Sequence, residues 1–331
     1  MITVDSGADS PAITPYNVTD VVTMGETMAL MKAESSGPLA HVASLSLGMG
    51  GAESNFAIAL RRLGTSVTWA GRVGADSLGE MVLRELAAEA INTLVSRDHT
   101  APTGLMIKER RTAEAVKVWY YRKGSAGSRL CREDVPAEQI AQAKLLHITG
   151  ITPALSTSAA DAVNYALDCA QAAGTLVSFD LNYRSALWSS EEAGEQYRRI
   201  IPRADVVFAG DTEAAIAVGD AQDPWELARR INEMGASQAV IKLGADGCVA
   251  VVHGEKHAQR AVPIRAVDTV GAGDAFVAGY IAELLNDEDV PQRLLTAVRT
   301  GAFACLVPGD WEGMPRRTEL DLLDSTEPVS R

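Results

Sequence analysis

The sequence predicts an α/β fold, a mostly parallel sheet with helices on both faces and a small β appendage. Three observations predict it. Short apolar runs alternate with helical patterns from residue 20 almost to the end, as when buried parallel strands are joined by crossover helices. One stretch, 103–121, breaks the alternation with two strand-like runs and no helix between them, which reads as an antiparallel hairpin. Glycine clusters fall between strands and helices, where open parallel sheets bind ligands.

The elements follow in order. Val21, Val22, Thr23 and Met24 form an apolar run closed by Gly25-Glu26, a buried strand. Residues 51–63 carry Phe56, Ile58, Ala59, Leu60 and Leu63 at helical spacing and stop at Gly64. A strand is expected at 67–70 and a helix at 78–90, with Leu78, Met81, Val82 and Leu86 on one face. Residues 104–108 and 115–121 are the hairpin strands. Further strands are expected at 145–148, 176–179, 206–208, 239–242 and 248–252, and helices at 158–172, 224–234, 273–285 and 294–306. The segment 33–49 does not fit the alternation and joins the hairpin as the appendage.

Whole-chain numbers set the class. The chain has 331 residues, 47% apolar and 22% charged, with net charge −13. A sizeable core is within reach. The acidity disfavours nucleic acid and anionic membranes as partners. Cys131, Cys169, Cys248 and Cys305 show no ligand-like spacing, as in a reduced, cytoplasmic setting. Residues 1–19 contain no Lys or Arg and no apolar core of a signal peptide. They read as a flexible tail, as do 321–331, around a domain at 20–320.

The strongest motif is Asp268-Thr269-Val270-Gly271-Ala272-Gly273-Asp274-Ala275-Phe276, just before a helix. Two glycines let the backbone approach a ligand, and the helix N-terminus points N–H groups at it. Gly271, Ala272 and Gly273 therefore form an anion hole for a phosphoryl group, with Asp274 in the first turn. A second cluster, Gly48-Met49-Gly50-Gly51-Ala52-Glu53-Ser54-Asn55, also opens a helix. A dinucleotide fingerprint fails there, because its third glycine position is Glu53.

Both clusters, with Gly71-Arg72-Val73-Gly74-Ala75-Asp76, resemble signatures of the ribokinase (PfkB) carbohydrate kinases, over about 20–315. The resemblance implies a ribokinase-like fold, with 33–49 and 101–126 as a lid. It implies ATP and Mg²⁺, leaves monovalent-cation dependence open, and assigns Asp274 as the base in direct in-line transfer. Asn182, Lys242, Gly244, Ala245, Asp246, Gly247, Gly271, Gly273 and Ala304 would meet the nucleotide. Where the family carries N-x-x-E beside the metal, this chain has Gly210-Asp211-Thr212-Glu213, so Glu213 alone remains to position magnesium.

Tyr120-Tyr121-Arg122 is similar to a segment of 2-keto-3-deoxygluconate kinases, and Asp180-Leu181-Asn182-Tyr183-Arg184 resembles a pattern shared by several sugar kinases of the family. That likeness implies a sugar-acid substrate met by Gly51, Asn55, Tyr120, Arg122, Arg184, Asp274 and Asp310. Arg122 and Arg184 would serve its carboxylate, since burying one unpaired is costly. Met106 stands where a substrate-binding tyrosine is expected. Fructokinase, 5-keto-2-deoxygluconate kinase and a non-catalytic sugar-binding regulator are the alternatives. Open strands on the lid predict a homodimer.

Overall fold

Val21–Met24 (β1) is buried along its whole length, as suits a strand covered on both faces. The structure, a computed structural model, describes residues 19–112 and 115–324. After β1 the chain makes Met28–Ala33 (β2), Leu45–Gly50 (β3), Ala52–Arg62 (α1), Val67–Gly74 (β4), Ser77–Ala88 (α2), Asn92–Asp98 (β5), Leu105–Arg110 (β6) and Val116–Tyr121 (β7). It continues with Ala137–Gln142 (α3), Leu145–Thr149 (β8), Ile151–Leu155 (α4), Thr157–Ala173 (α5), Leu176–Asp180 (β9), Ser190–Ile200 (α6), Val206–Gly210 (β10), Asp211–Val218 (α7) and Pro224–Glu233 (α8). Gln238–Lys242 (β11), Cys248–Val252 (β12), Glu255–Gln259 (β13), Ala272–Leu285 (α9) and Val290–Ala304 (α10) complete it.

Among the described residues, nine strands form the main sheet in the order β13-β12-β11-β10-β9-β8-β1-β4-β5. All neighbours are parallel except along β11-β12-β13. Strand order reverses beside β1, which pairs with β4 on one side and β8 on the other. A crevice opens there at the carboxyl ends of the strands. One apolar core lies on the α1, α2, α9 and α10 side, around Phe56, Trp69, Phe208 and Tyr280. The other lies on the α3–α8 side, around Phe179, Tyr197 and Ile231. No helix among the described residues is long and apolar enough to cross a membrane.

Local chemistry explains the helix ends. Ser156 accepts the Ala159 N–H to cap α5, and Gly174 ends it at φ 74°. Ser189 and Glu192 form a capping box at α6. Asp289 caps α10, with a proline in the first turn.

The second sheet has four strands in the order β3-β2-β6-β7. Its central pair, β2 and β6, is parallel and the outer pairs are antiparallel. Alternation gives it two faces. Leu30, Met106, Lys108, Val118 and Tyr120 look into a cleft against the main sheet. Leu45, Leu47, Trp119 and Tyr121 are exposed.

Several expectations are corrected. The appendage starts at Met28, before residue 33, and hydrogen-bonded strands replace its unassigned segment. β5, β13, α6 and α7 were not anticipated from sequence. The expected strand at 67–70 runs on to Gly74, so the glycines of that block lie within β4. Residues 321–324 belong to the body, since Arg317–Asp324 is a 3₁₀ helix tied down by Arg299 through Leu320 O and Asp324. Thr19, placed in the tail, is buried and bonded to Thr68. Residues 1–18 and 325–331, the rest of the two expected tails, lie outside the described residues.

Candidate active site

The α9 loop is built around a backbone turn that glycine alone suits. Gly271, the N-cap of α9, has φ 77°, and a Cβ there would collide with the Asp310 carbonyl oxygen. The Ala272 N–H turns back to Thr269 O at 3.3 Å, so Ala272 leaves the expected anion hole. The N–H groups of Gly271 and Gly273 have no backbone acceptor among the described residues. They start a fourteen-residue helix, whose dipole favours an anion at this end.

Asp274 sits one turn further on, and two amides orient it. Asn55 from α1 donates to Oδ2 at 2.9 Å, and Asn182 beyond β9 donates to Oδ1 at 3.4 Å. Asn182, expected at the nucleotide, therefore lies against the proposed base. Burial pushes the Asp274 carboxyl up to about 7; the Asn55 hydrogen bond opposes this, the Asp180 charge adds to it, and Arg184 and Lys242 pull it down. A carboxylate poised near neutrality is suited to accept a proton there.

Lys242, at the end of β11, makes a two-pronged contact with Asp180 at 2.7 and 2.9 Å. Burial alone would weaken its charge, but Asp180, Glu213 and Asp274 outweigh that and hold the ammonium above its ordinary pKa. It stands where the cleft, of about 590 Å³, meets an adjoining recess of about 480 Å³. Gly244, Ala245 and Gly247 line that recess with Val262, Pro263, Ile264, Phe276, Gly301 and Ala302. These flat, apolar walls suit a heterocyclic base. Ala304 and Asp246 do not line it. Ala304 is buried in the core, and Asp246 is exposed on the turn.

Glu213 spends both carboxylate oxygens on backbone, accepting from Tyr183 N and Gly210 N at 2.9 and 2.7 Å. Gly210 is the N-cap of α7, so the missing family asparagine is replaced by a capping contact. No group of three or more Asp, Glu, His or Cys among the described residues is placed to hold a metal.

The sugar-side residues converge on a small recess of about 80 Å³, lined by Gly51, Asn55, Tyr120, Arg122, Arg184, Asp274 and Asp310. Gly51 lets the chain pass close to Glu26 O and Thr27 Cα, where a Cβ would lie 2.5 and 3.0 Å away. Arg122 is not a free cation. Its guanidinium pairs with buried Glu26 at 2.6 Å, and Ser125 also bonds Glu26. Among the described residues no carboxylate lies at ion-pair distance from Arg184, which is exposed at the edge of the recess, although its charge draws the Asp274 carboxyl down. Met106 packs on Met28 and Leu30 opposite Tyr120 and supplies an apolar wall. Sequence reasoning assigned no role to Glu26, Lys108, Asp180 or Asp268. Glu26 had one signal, a carboxylate straight after a buried strand. Glu53, which excluded the dinucleotide reading, is buried under hydroxyls of Thr149 and Thr152, each at 2.7 Å.

The chain is similar to 2-dehydro-3-deoxygluconokinase of Bacillus subtilis, 35% identical, with 91% of this chain and 94% of that one covered. The enzyme of the same name from Thermoproteus tenax is 34% identical, at 92% and 93% coverage. The solved PfkB protein of Polaromonas sp. JS666 superposes with a TM-score of 0.84 at 36% identity, covering 92% of this chain and 99% of that one. The family model for pfkB family carbohydrate kinases matches residues 18–317. With its mostly parallel sheet and separate small sheet in a ribokinase-like fold, this chain belongs to the PfkB family of carbohydrate kinases.

Proposed function

We propose that the protein transfers the γ-phosphoryl group of ATP to the terminal hydroxyl of 2-keto-3-deoxygluconate, giving 2-keto-3-deoxy-6-phosphogluconate and ADP, in the cytoplasm. The observation that carries this reading is the position of Asp274. It borders the cleft containing the anion loop and also the recess containing both arginines.

Asp274 accepts the hydroxyl proton as the sugar oxygen bonds to the γ-phosphorus and the bridging P–O bond to ADP breaks. Gly271 and Gly273 N–H groups and Lys242 hold the charge that spreads over the transferred group. Magnesium, when bound, neutralises phosphate charge. The apolar recess beside Gly301 holds the base of the nucleotide. Leu30, Met106 and Val118 on the lid shield the reacting atoms from water.

Arg184 faces the sugar carboxylate, and Arg122 joins it by sharing its Glu26 partner. A neutral sugar would make poor use of an unpaired guanidinium. The names of the two relatives agree with the acid. A coupled ADP assay over sugars and sugar acids tests the reading. The highest kcat/KM is expected for 2-keto-3-deoxygluconate. A preference for fructose or for 5-keto-2-deoxygluconate moves the enzyme to those alternatives, and no ADP with any sugar makes it a regulator. The exposed apolar face of the lid fits a second copy of the chain, expected as a dimer mass by light scattering.

A further inference from the structure

Lys108 lies on the lid, yet both its partners belong to the body. It projects from β6 on the face that also carries Met106. Its ammonium reaches Asp268 at 2.6 Å and Asp310 at 3.3 Å, with all three side chains at most 7% exposed. The two aspartates are not ordinary surface partners. Asp268 opens the anion loop: one of its oxygens accepts the Val270 N–H and the other the Gly309 N–H, each at 3.2 Å. Asp310 follows Gly309, borders the sugar recess, and lends its carbonyl as the floor beneath Gly271. One cation from the lid thus holds the start of the phosphate-binding turn and the segment beneath it.

We propose that Lys108 is a positioning residue for phosphoryl transfer, which sets the anion loop through Asp268 and the sugar-side carboxylate through Asp310 when the lid is down. The inference rests on the kinase reading above. A buried lysine facing two carboxylates is costly to retain as mere filling. The charged neighbourhood supports it. Burial pushes the Asp310 carboxyl up, Lys108 is the main influence drawing it back, and Glu312 and Asp268 add to the rise. Glu312 is itself paired with Lys32 of β2, so two lysines fasten the lid to this edge of the body.

The test compares Lys108→Met with Lys108→Arg. Lys108→Met is expected to lower kcat on the order of 10²-fold, as a displaced reacting group does. KM for ATP should stay within about threefold. Sugar KM should rise more steeply than in wild type as pH falls, because Asp310 without its cation protonates more readily. The melting temperature gives a readout independent of turnover. With Asp310 buried and its cation gone, the variant's deficit should grow as pH rises and that carboxylate ionises, whereas lost packing gives a constant deficit. Lys108→Arg should recover kcat to within about tenfold, since it keeps the charge. The proposal is overturned if Lys108→Met keeps kcat within about threefold, or if Lys108→Arg is as impaired as Met. A pH-independent melting deficit also overturns it. Should Lys108→Met not fold, Lys108→Gln replaces it. A wild type that phosphorylates no sugar defeats the kinase reading, while the melting series still decides the linkage to Asp268 and Asp310.

Discussion

On the phosphate side of the cleft, position is held by main chain. Gly271 turns at φ 77°, and α9 starts on it. On the lid side, position is held by charge pairs, Arg122 with Glu26 and Lys108 with Asp268 and Asp310. A phosphoryl group is the same in every reaction of this kind, so a rigid backbone cradle suits it. A sugar must be chosen and enclosed, and ion pairs can exchange partners as it enters. On this contrast the phosphate wall is expected to govern rate and Arg122 and Arg184 to govern selection, with Lys108 the lid residue that reaches across to the rate side.

The contrast breaks first at Asp274. Asp274→Asn keeps the shape but cannot take the proton, so kcat should fall about 10²–10⁴-fold with ATP binding nearly unchanged. Half the wild-type kcat remaining would remove Asp274 from the mechanism. On the selective wall, Arg122→Leu should raise sugar-acid KM by an energy of about 2–5 kcal/mol. It also strands buried Glu26, at a cost in stability of about 3–5 kcal/mol. Melting temperature and KM therefore have to be measured together. Arg184→Leu separates the two effects. Arg184 has no carboxylate partner to strand among the described residues, so it should raise KM about 10–100-fold, for a lost charge-assisted bond, and leave melting unchanged. An unaltered KM would return the carboxylate to Arg122 alone.

The pH profile sharpens the rate side. As the proposed base, Asp274 has to be ionised to take the proton, and burial pushes its pKa up to about 7. Log kcat/KM should therefore be flat above that value and fall by about one unit per pH unit below it. Arg184 draws this pKa down, so Arg184→Leu should move the limb to higher pH. A limb near the ordinary carboxylate range would mean that Asp274 is better solvated than its burial indicates. The smallest effect is dynamic. Amide exchange in β6 and β7 should slow on adding the sugar acid, and unchanged rates at saturation would mean that the lid does not close.

The same contrast explains what the sequence revealed. The turn of the phosphate wall was legible because it and the proposed base lie within seven consecutive residues, 268–274, whereas the loss of the Ala272 donor to Thr269 O was not. The lid wall was only half legible. Tyr120, Arg122 and Arg184 were found by likeness, but their settings were not. Glu26 and Arg122 are 96 residues apart, and Lys108 and Asp268 are 160 apart, so no local pattern announces either pair. β5, at the end of the sheet, was missed because only Leu94 and Val95 of its residues are apolar, flanked by Asn92, Thr93, Ser96, Arg97 and Asp98. α6 was missed because only Ala193, Gly194, Tyr197 and Ile200 of its eleven residues are buried. Ala304 was assigned to the nucleotide by likeness to the family, and its small size suits helix packing equally well.

The lid's strand order has a consequence for how the molecule assembles. Its central pair joins Ala29 to Leu105 and Lys32 to Lys108, with α1, β4, α2 and β5 in the intervening chain. The lid sheet cannot close until that βαβ stretch has folded and brought its two ends together. Contacts so distant in sequence form late and slowly. The part of the protein that selects the sugar is therefore expected to be last to form on refolding and first to open under denaturant, with catalytic competence appearing only after the main sheet is complete.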